Sequence, residues 1–162
     1  YEYLKREGFD GSILDASSGL GYGTKAGIEE YGFDVEDIDW LCRLFEKQNY
    51  QYIYAPHISD THPDHKETFS YLVKAIKKSN FLCKIRFYEF WMPLKKTNVF
   101  VDISEIADQK EAAILCHESQ LRFINYAEIV QVLNSYRGKQ LGLNACEAYW
   151  EIQSVQLDDE EI

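Results

Sequence analysis

Basic side chains are in short supply. Seventeen Lys and Arg face 27 Asp and Glu, leaving a formal net charge of −10 at pH 7. Nucleic acid and anionic membrane surfaces both select a basic footprint, so this composition argues against either partner. No apolar run is long enough to span a bilayer, and no secretory leader pattern opens the chain. Cysteine is sparse and scattered: Cys42, Cys83, Cys116 and Cys146 form no C-x-x-C pair. Each lies in an apolar or helical stretch, so buried free thiols in a reducing, cytoplasmic setting are expected. That spacing disfavours a zinc knuckle. The only methionine is Met92 and the first residue is Tyr1, as expected for a segment of a longer protein. No internal repeat and no low-complexity tract is present.

What is there suits one globular domain. The chain has 162 residues, 46% of them hydrophobic and 15% aromatic, enough to build a core. Residues 11–16 read as a short strand, followed by a stretch containing Gly19, Gly21, Gly23 and Gly27. Asp34 is placed to cap a helix over about 35–48, where Val35, Ile38, Leu41, Cys42 and Phe45 recur at helical spacing. Residues 51–56 read as a strand and 57–62 as a loop. A helix then runs from Pro63 to about Lys77 and Lys78. Strands are expected over 82–91 and 98–103, with Pro93 and the following polar run at the turn. Helices follow over 104–118 and about 125–137, with Gly138 as a stop, and a last strand over 145–156. This alternation predicts an α/β, Rossmann-like three-layer domain with a largely parallel sheet, incomplete at its N-terminus. Residues 1–157 form that single domain, with a glycine-rich lead-in over 1–40 and an acidic tail over 158–162.

The tetrapeptide His62-Pro63-Asp64-His65 sits where this strand–loop–helix order would put an active site. Residues three apart share a helical face, so both imidazoles can point into one pocket. Neutral imidazole ligates zinc, and a working histidine usually leans its second nitrogen on a carboxylate. Asp60 and Asp64 are both near enough to serve. A catalytic zinc needs about three protein ligands and an open position, so further ligands must come from elsewhere. His57, at the end of the preceding strand, could line the same pocket. His117 reads as a helix C-terminal residue favoured by the dipole. Aromatic residues, among them Phe90, Trp91, Tyr126, Tyr149 and Trp150, read mainly as core and strand-face packing, although some could stack on a sugar ring.

The pieces Tyr52–His57, Ser59–His65, Phe100–Ser104, Lys110, His117–Gln120, Arg137-Gly138 and Glu147–Tyr149 stand in the order of a known family. Over about residues 41–156 the chain resembles the PIG-L (LmbE-like) zinc-dependent N-deacetylases. The resemblance implies removal of an N-acetyl group from an N-acetylglucosamine-type conjugate. His65 would ligate zinc. His62 would be the acid or electrophilic residue, oriented by Asp64, and Asp60 and His57 would be on the substrate. Lys110, Gln120, Arg137 and Glu147 are expected to form salt bridges and caps. The family's N-terminal His-Pro-Asp-Asp half-site has no counterpart here. The expected partner is a small N-acetylated sugar, and self-association into a homo-oligomer is compatible with the reading.

Residues 13–39 carry a different resemblance. Ile13–Gly23 is similar to the cofactor loop of S-adenosylmethionine-dependent methyltransferases, and Gly32–Asp39 to their second strand. That would put Gly19 and Gly21 along the cofactor and Asp39 on its ribose. Ser17 replaces one glycine of that pattern, and helical periodicity through Val35–Phe45 competes with the strand. Thr61–His65 is also similar in part to the metallo-β-lactamase motif. There, however, Asp60 stands where a further histidine belongs, and no Gly-Gly pair follows His65. A third class is a non-catalytic remnant serving as an interaction domain.

Overall fold

A computed structural model describes residues 35–48 and 50–158. The elements run α1 (Val35–Gln48), β1 (Tyr52–Pro56), α2 (Pro63–Ser79), β2 (Lys84–Tyr88), β3 (Val99–Asp102), α3 (Ala107–Leu115), α4 (Glu118–Leu121), α5 (Tyr126–Gln140) and β4 (Cys146–Gln153), then a 3-10 turn (Ser154–Asp158). The domain is α/β and Rossmann-like. The lead-in over 1–34, including the expected Asp34 cap and the glycine-rich loop, lies outside the described residues, as does the tail beyond 158.

Among the described residues, four strands form one sheet in the order β1-β2-β4-β3. The sheet is mixed where a largely parallel one was expected. β1 and β2 are parallel, whereas β4 is antiparallel to both β2 and β3. Alternation of strands and helices fixes which elements stack, but not strand direction. The chain leaves β3 at Asp102, passes through three helices, and re-enters at Cys146, which pairs with Asp102 itself.

One face of the sheet is apolar. Ala55, Ile85, Phe87 and Ile152 meet Cys42 and Phe45 of α1 and Leu72, Ala75 and Ile76 of α2. The α1 positions are those the helical spacing picks out. Helix wins over strand here, and with it goes the methyltransferase reading of residues 35–39. Asp39 lies within α1 and pairs with Lys78 rather than facing a ribose.

α5 packs against the start of β4. Gly138 was expected to stop this helix, yet it lies inside it. A Cβ there would come within 2.8 Å of Ala145 N, so glycine is required for close approach of helix and strand rather than for a turn. The stop is Gly142, at φ +75°. Leu143 N–H donates to Gly138 O (2.9 Å) and Gly142 N–H to Lys139 O (3.4 Å), the paired bonds of a Schellman end. The stretch 104–118 is likewise not one helix, because α3 ends at Leu115 and α4 begins at Glu118. Of the cysteines, Cys42, Cys83 and Cys146 are buried free thiols, but Cys116 is exposed.

Lys110, Arg137 and Glu147 form ion pairs as expected, and the side chain of Gln120 lies outside the described residues. Lys110 of α3 bonds Glu147 of β4 and Asn134 Oδ1 of α5 (2.9 Å). Burial works against the Glu147 charge, but the bonds from Lys110 and Tyr149 outweigh it and hold its pKa below the usual carboxylate range. Arg137 and Glu89 form a second, buried pair, and Arg137 also donates to Leu94 O (3.0 Å). That pair fixes the segment leaving β2 against α5. Arg137→Ala would strand the Glu89 carboxylate, and a loss of about 3–5 kcal/mol is expected. Denaturant unfolding measures it, and a midpoint equal to the parent's would show that the pair holds nothing.

Candidate active site

The loop 57–62 leaves the C-terminal end of β1, and residues 89–91 leave the adjacent end of β2. In parallel α/β sheets the crevice outside such strand ends is the usual ligand site. Here the two exits are tied together by Asp60, which is only 4% exposed. Its Oδ1 accepts from His62 N–H (2.8 Å) and its Oδ2 from Trp91 N–H (3.3 Å). The same Oδ2 lies 3.0 Å from His65 Nδ1, close enough for charge although not aligned as a hydrogen bond.

His62 is the N-cap of α2, in extended backbone, with Pro63 in the first turn. Its Nδ1 accepts from Asp64 N–H (3.2 Å), as the side chain of a Ser or Asp cap usually does. With Nδ1 accepting, a neutral His62 carries its proton on Nε2. His65 is set the other way. A proton on Nδ1 would face Asp60 and leave the lone pair on Nε2. The two rings stand 5.0 Å apart. His62 stacks on Trp91 at 6.0 Å, and His65 meets the edge of Phe90 at 5.3 Å.

Asp64 is buried beside them, its Oδ2 3.7 Å from His62 Nδ1 and its Oδ1 without a bonding partner. Burial pushes its pKa up from the usual carboxylate range, and the neighbouring His62 and His65 pull it partly back.

The structure sets the two expected substrate groups against the protein. Asp60, expected on a substrate, is turned into the protein with both oxygens engaged. His57, expected on the same substrate, is packed away from it. Its ring contacts Phe69, Phe87 and Trp150 at 5.2–6.1 Å, its Nδ1 accepts from Ser59 N–H, and its Nε2 is buried without a partner. A histidine at a strand end alternates onto the core face as readily as into a cleft. The sequence reads Phe90 and Trp91 mainly as packing residues, with stacking on a sugar ring as the other use. Their position just after the β2 run was the available signal, because that exit lies beside the β1 exit once the strands are parallel.

Among the described residues, no group of three His, Cys, Asp or Glu side chains converges as a metal centre requires. His65 alone fits a ligand, with a lone pair in front and a carboxylate behind. Chemically, the pair offers one N–H donor beside one lone-pair donor at a helix start.

Fold comparison gives this geometry a context. Over 82% of this chain and 57% of the other, it superposes on the N,N'-diacetylchitobiose deacetylase from Pyrococcus horikoshii, with TM-score 0.67 and 18% identity. The chain shares its fold with a deacetylase. It also matches the conserved protein TT1542 from Thermus thermophilus (TM-score 0.61, 24% identity, 72% of this chain and 57% of that one). A third match is GalB, the 4-carboxy-2-hydroxymuconate hydratase from Pseudomonas putida (TM-score 0.57, 16% identity, 76% and 61%). The chain thus spans less than two thirds of each. No protein-family profile matches the chain, and neither does any curated protein sequence. At these identities the likeness establishes the fold, and one fold carrying a deacetylase and a hydratase does not fix a reaction.

Two predictions follow from the loop. Asp60→Ala orphans two backbone N–H groups and the His65 ring, at about 1–3 kcal/mol for each donor left buried. Denaturant unfolding, with faster amide exchange at His62 and Trp91, measures this, and parental exchange rates at both amides would refute the clamp. The second concerns His57, whose pKa burial holds below its ordinary 6.5. The unfolded chain takes up that proton first, so acidification below about pH 6.5 favours unfolding. His57→Phe should flatten the fall in stability between pH 7 and 5, and an unchanged slope would mean the ring is protonated in the fold.

Proposed function

We propose that the intact protein is a zinc-dependent N-deacetylase acting on an N-acetylglucosamine-type conjugate. The observation that carries this reading is the pair of imidazoles set side by side, each with Nδ1 turned to the protein and Nε2 free. One offers a proton and the other a lone pair. Amide hydrolysis needs both kinds of group. Water adds to the acetamide carbonyl, the C–N bond breaks, acetate leaves, and the departing amine takes a proton.

In this reading His62 acts in its charged form, bonding the developing oxyanion from Nε2 and then giving that proton to the leaving amine as the ring returns to neutral. Asp64, next to its Nδ1, stabilises the ring when it is charged. Asp60 holds His65, and His65 supplies one ligand to zinc. A zinc ion at such a centre acidifies water and polarises a carbonyl. The remaining ligands and the general base would have to come from chain outside the described residues. Trp91 forms one wall, stacked on His62, and keeps that donor ring from rotating.

The shared fold with a chitobiose deacetylase supports the substrate class, and the ordered match to the deacetylase motifs supports the roles of His62, Asp64 and His65. The test uses the full-length protein with an N-acetylated sugar. About one zinc per chain and release of acetate are expected. His65→Ala should abolish metal binding, and retained zinc would refute the ligand. His62→Ala should keep zinc while slowing turnover by about 10²–10⁴-fold. Unchanged turnover would remove its role, and no acetate from any N-acetylated sugar would remove the reading.

A further inference from the structure

Five aromatic rings at this end of the sheet close a circuit. Between centroids, His65 lies 5.0 Å from His62, and His62 lies 6.0 Å from Trp91. Trp91 lies 5.0 Å from Tyr126, Tyr126 lies 6.0 Å from Phe90, and Phe90 lies 5.3 Å from His65. Phe90 and Trp91 also meet across the middle at 5.7 Å and 78°. All these spacings fall in the range where rings attract, stacked or edge to face. The histidines come from the start of α2, Phe90 and Trp91 from the exit of β2, and Tyr126 from the start of α5. Tyr126 reaches the histidines through Phe90 and Trp91.

Hydrogen bonds alone do not fix either imidazole. The His62 ring accepts one bond, from Asp64 N–H to Nδ1, and its side chain is 36% exposed. A single bond leaves the ring free to tilt about it. His65 has the charge of Asp60 at 3.0 Å without an aligned bond. The remaining restraint is aromatic. The Trp91 plane lies within 8° of the His62 plane, and Phe90 meets His65 at 71°. Those two walls stand on a bend outside any helix or strand. The Trp91 N–H on Asp60 ties that bend to the β1 exit. Tyr126 braces its side chains. It is the first residue of α5, whose cap Asn125 accepts from Glu128 N–H (3.3 Å). Its ring meets Trp91 edge-on at 77° and stacks on Phe90 at 30°, so one side chain supports both walls. In the last turn of α5, Arg137 holds Glu89, next to Phe90. The helix therefore grips the β2 exit from both of its ends.

We propose that Tyr126 is a positioning residue for the histidine pair, holding both imidazoles in their working orientation through Trp91 and Phe90. It acts by its ring rather than its hydroxyl. Orientation matters because proton transfer and metal ligation each need a nitrogen aimed at its partner, and a misplacement of about 1 Å costs about 10²-fold in rate. The reaction that needs a fixed pair rests on the deacetylase reading, whereas the bracing of the two rings rests on the circuit itself.

Two readouts on the full-length protein test it. The first is NMR of the imidazole C–H groups, with His62→Ala and His65→Ala identifying the two rings. Tyr126→Leu should shift both signals, and Tyr126→Phe, which keeps the ring and loses the hydroxyl, should return them close to the parent's. The second is turnover of an N-acetylated sugar. Tyr126→Leu should lower kcat by about tenfold or more with KM within about twofold, and Tyr126→Phe should restore kcat to within about twofold. Circular dichroism establishes that each variant is folded. Tyr126→Met, which keeps volume without a ring, serves the same test if Tyr126→Leu does not fold. A residue that only adds stability would lower the thermal midpoint and leave the ring signals and kcat of the folded protein unchanged. Parental ring signals in folded Tyr126→Leu would therefore overturn the proposal. So would an equal loss of kcat in Tyr126→Phe, which would put the hydroxyl on the substrate. If the signals move as expected but the intact protein releases no acetate, the deacetylase reading fails and the positioning stands. If acetate is released and folded Tyr126→Leu keeps the parental kcat, the positioning fails and the reading stands.

Discussion

A single buried carboxylate organises the end of this sheet. Asp60 accepts from the backbone of His62 and of Trp91 and lies against the His65 ring. Those three groups belong to three parts of the chain: the exit of β1, the exit of β2 and the first turn of α2. An ionised carboxylate can take several donors at once and gains more from each than a neutral acceptor would. Its burial makes the arrangement all-or-none, because any donor it releases is left without water as a substitute. The histidine pair is therefore presented by its supports more than by its own helix.

The capping of α2 is the second consequence. A histidine is an uncommon N-cap, and using Nδ1 as the cap acceptor decides where the His62 proton sits. The same helix start that terminates the loop thus assigns the ring its donor nitrogen. Asp60 does the reverse for His65. Two identical side chains three residues apart come to differ in chemistry because one faces a backbone N–H and the other a carboxylate. Solved structures with this fold include a deacetylase and a hydratase, so the layer arrangement by itself does not set a reaction.

Farther along, the ion pairs Arg137–Glu89 and Lys110–Glu147 fasten α3 and α5 to the exit of β2 and to the start of β4. The motif match singled out three of these four residues and the structure makes them tethers. Glu89, the fourth, gave no sequence signal, because its partner is 48 residues away.

Much was legible in the sequence. Helical spacing gave α1, and the Pro63 start and Lys77-Lys78 end gave α2. Apolar runs gave β1 and β2, and His62 with His65 stood out as a pair. These depend on contacts a few residues apart, whose periodicity and capping chemistry survive in one dimension. Tertiary structure alone decided the antiparallel direction of β4, the burial of Gly138 against Ala145, the inward turn of Asp60, the aromatic packing of His57, and the walls that Phe90 and Trp91 make for the histidines. Each of these depends on which strands become neighbours. A side chain's neighbours across a sheet are set by pairing at long sequence separation, about which local pattern carries no information.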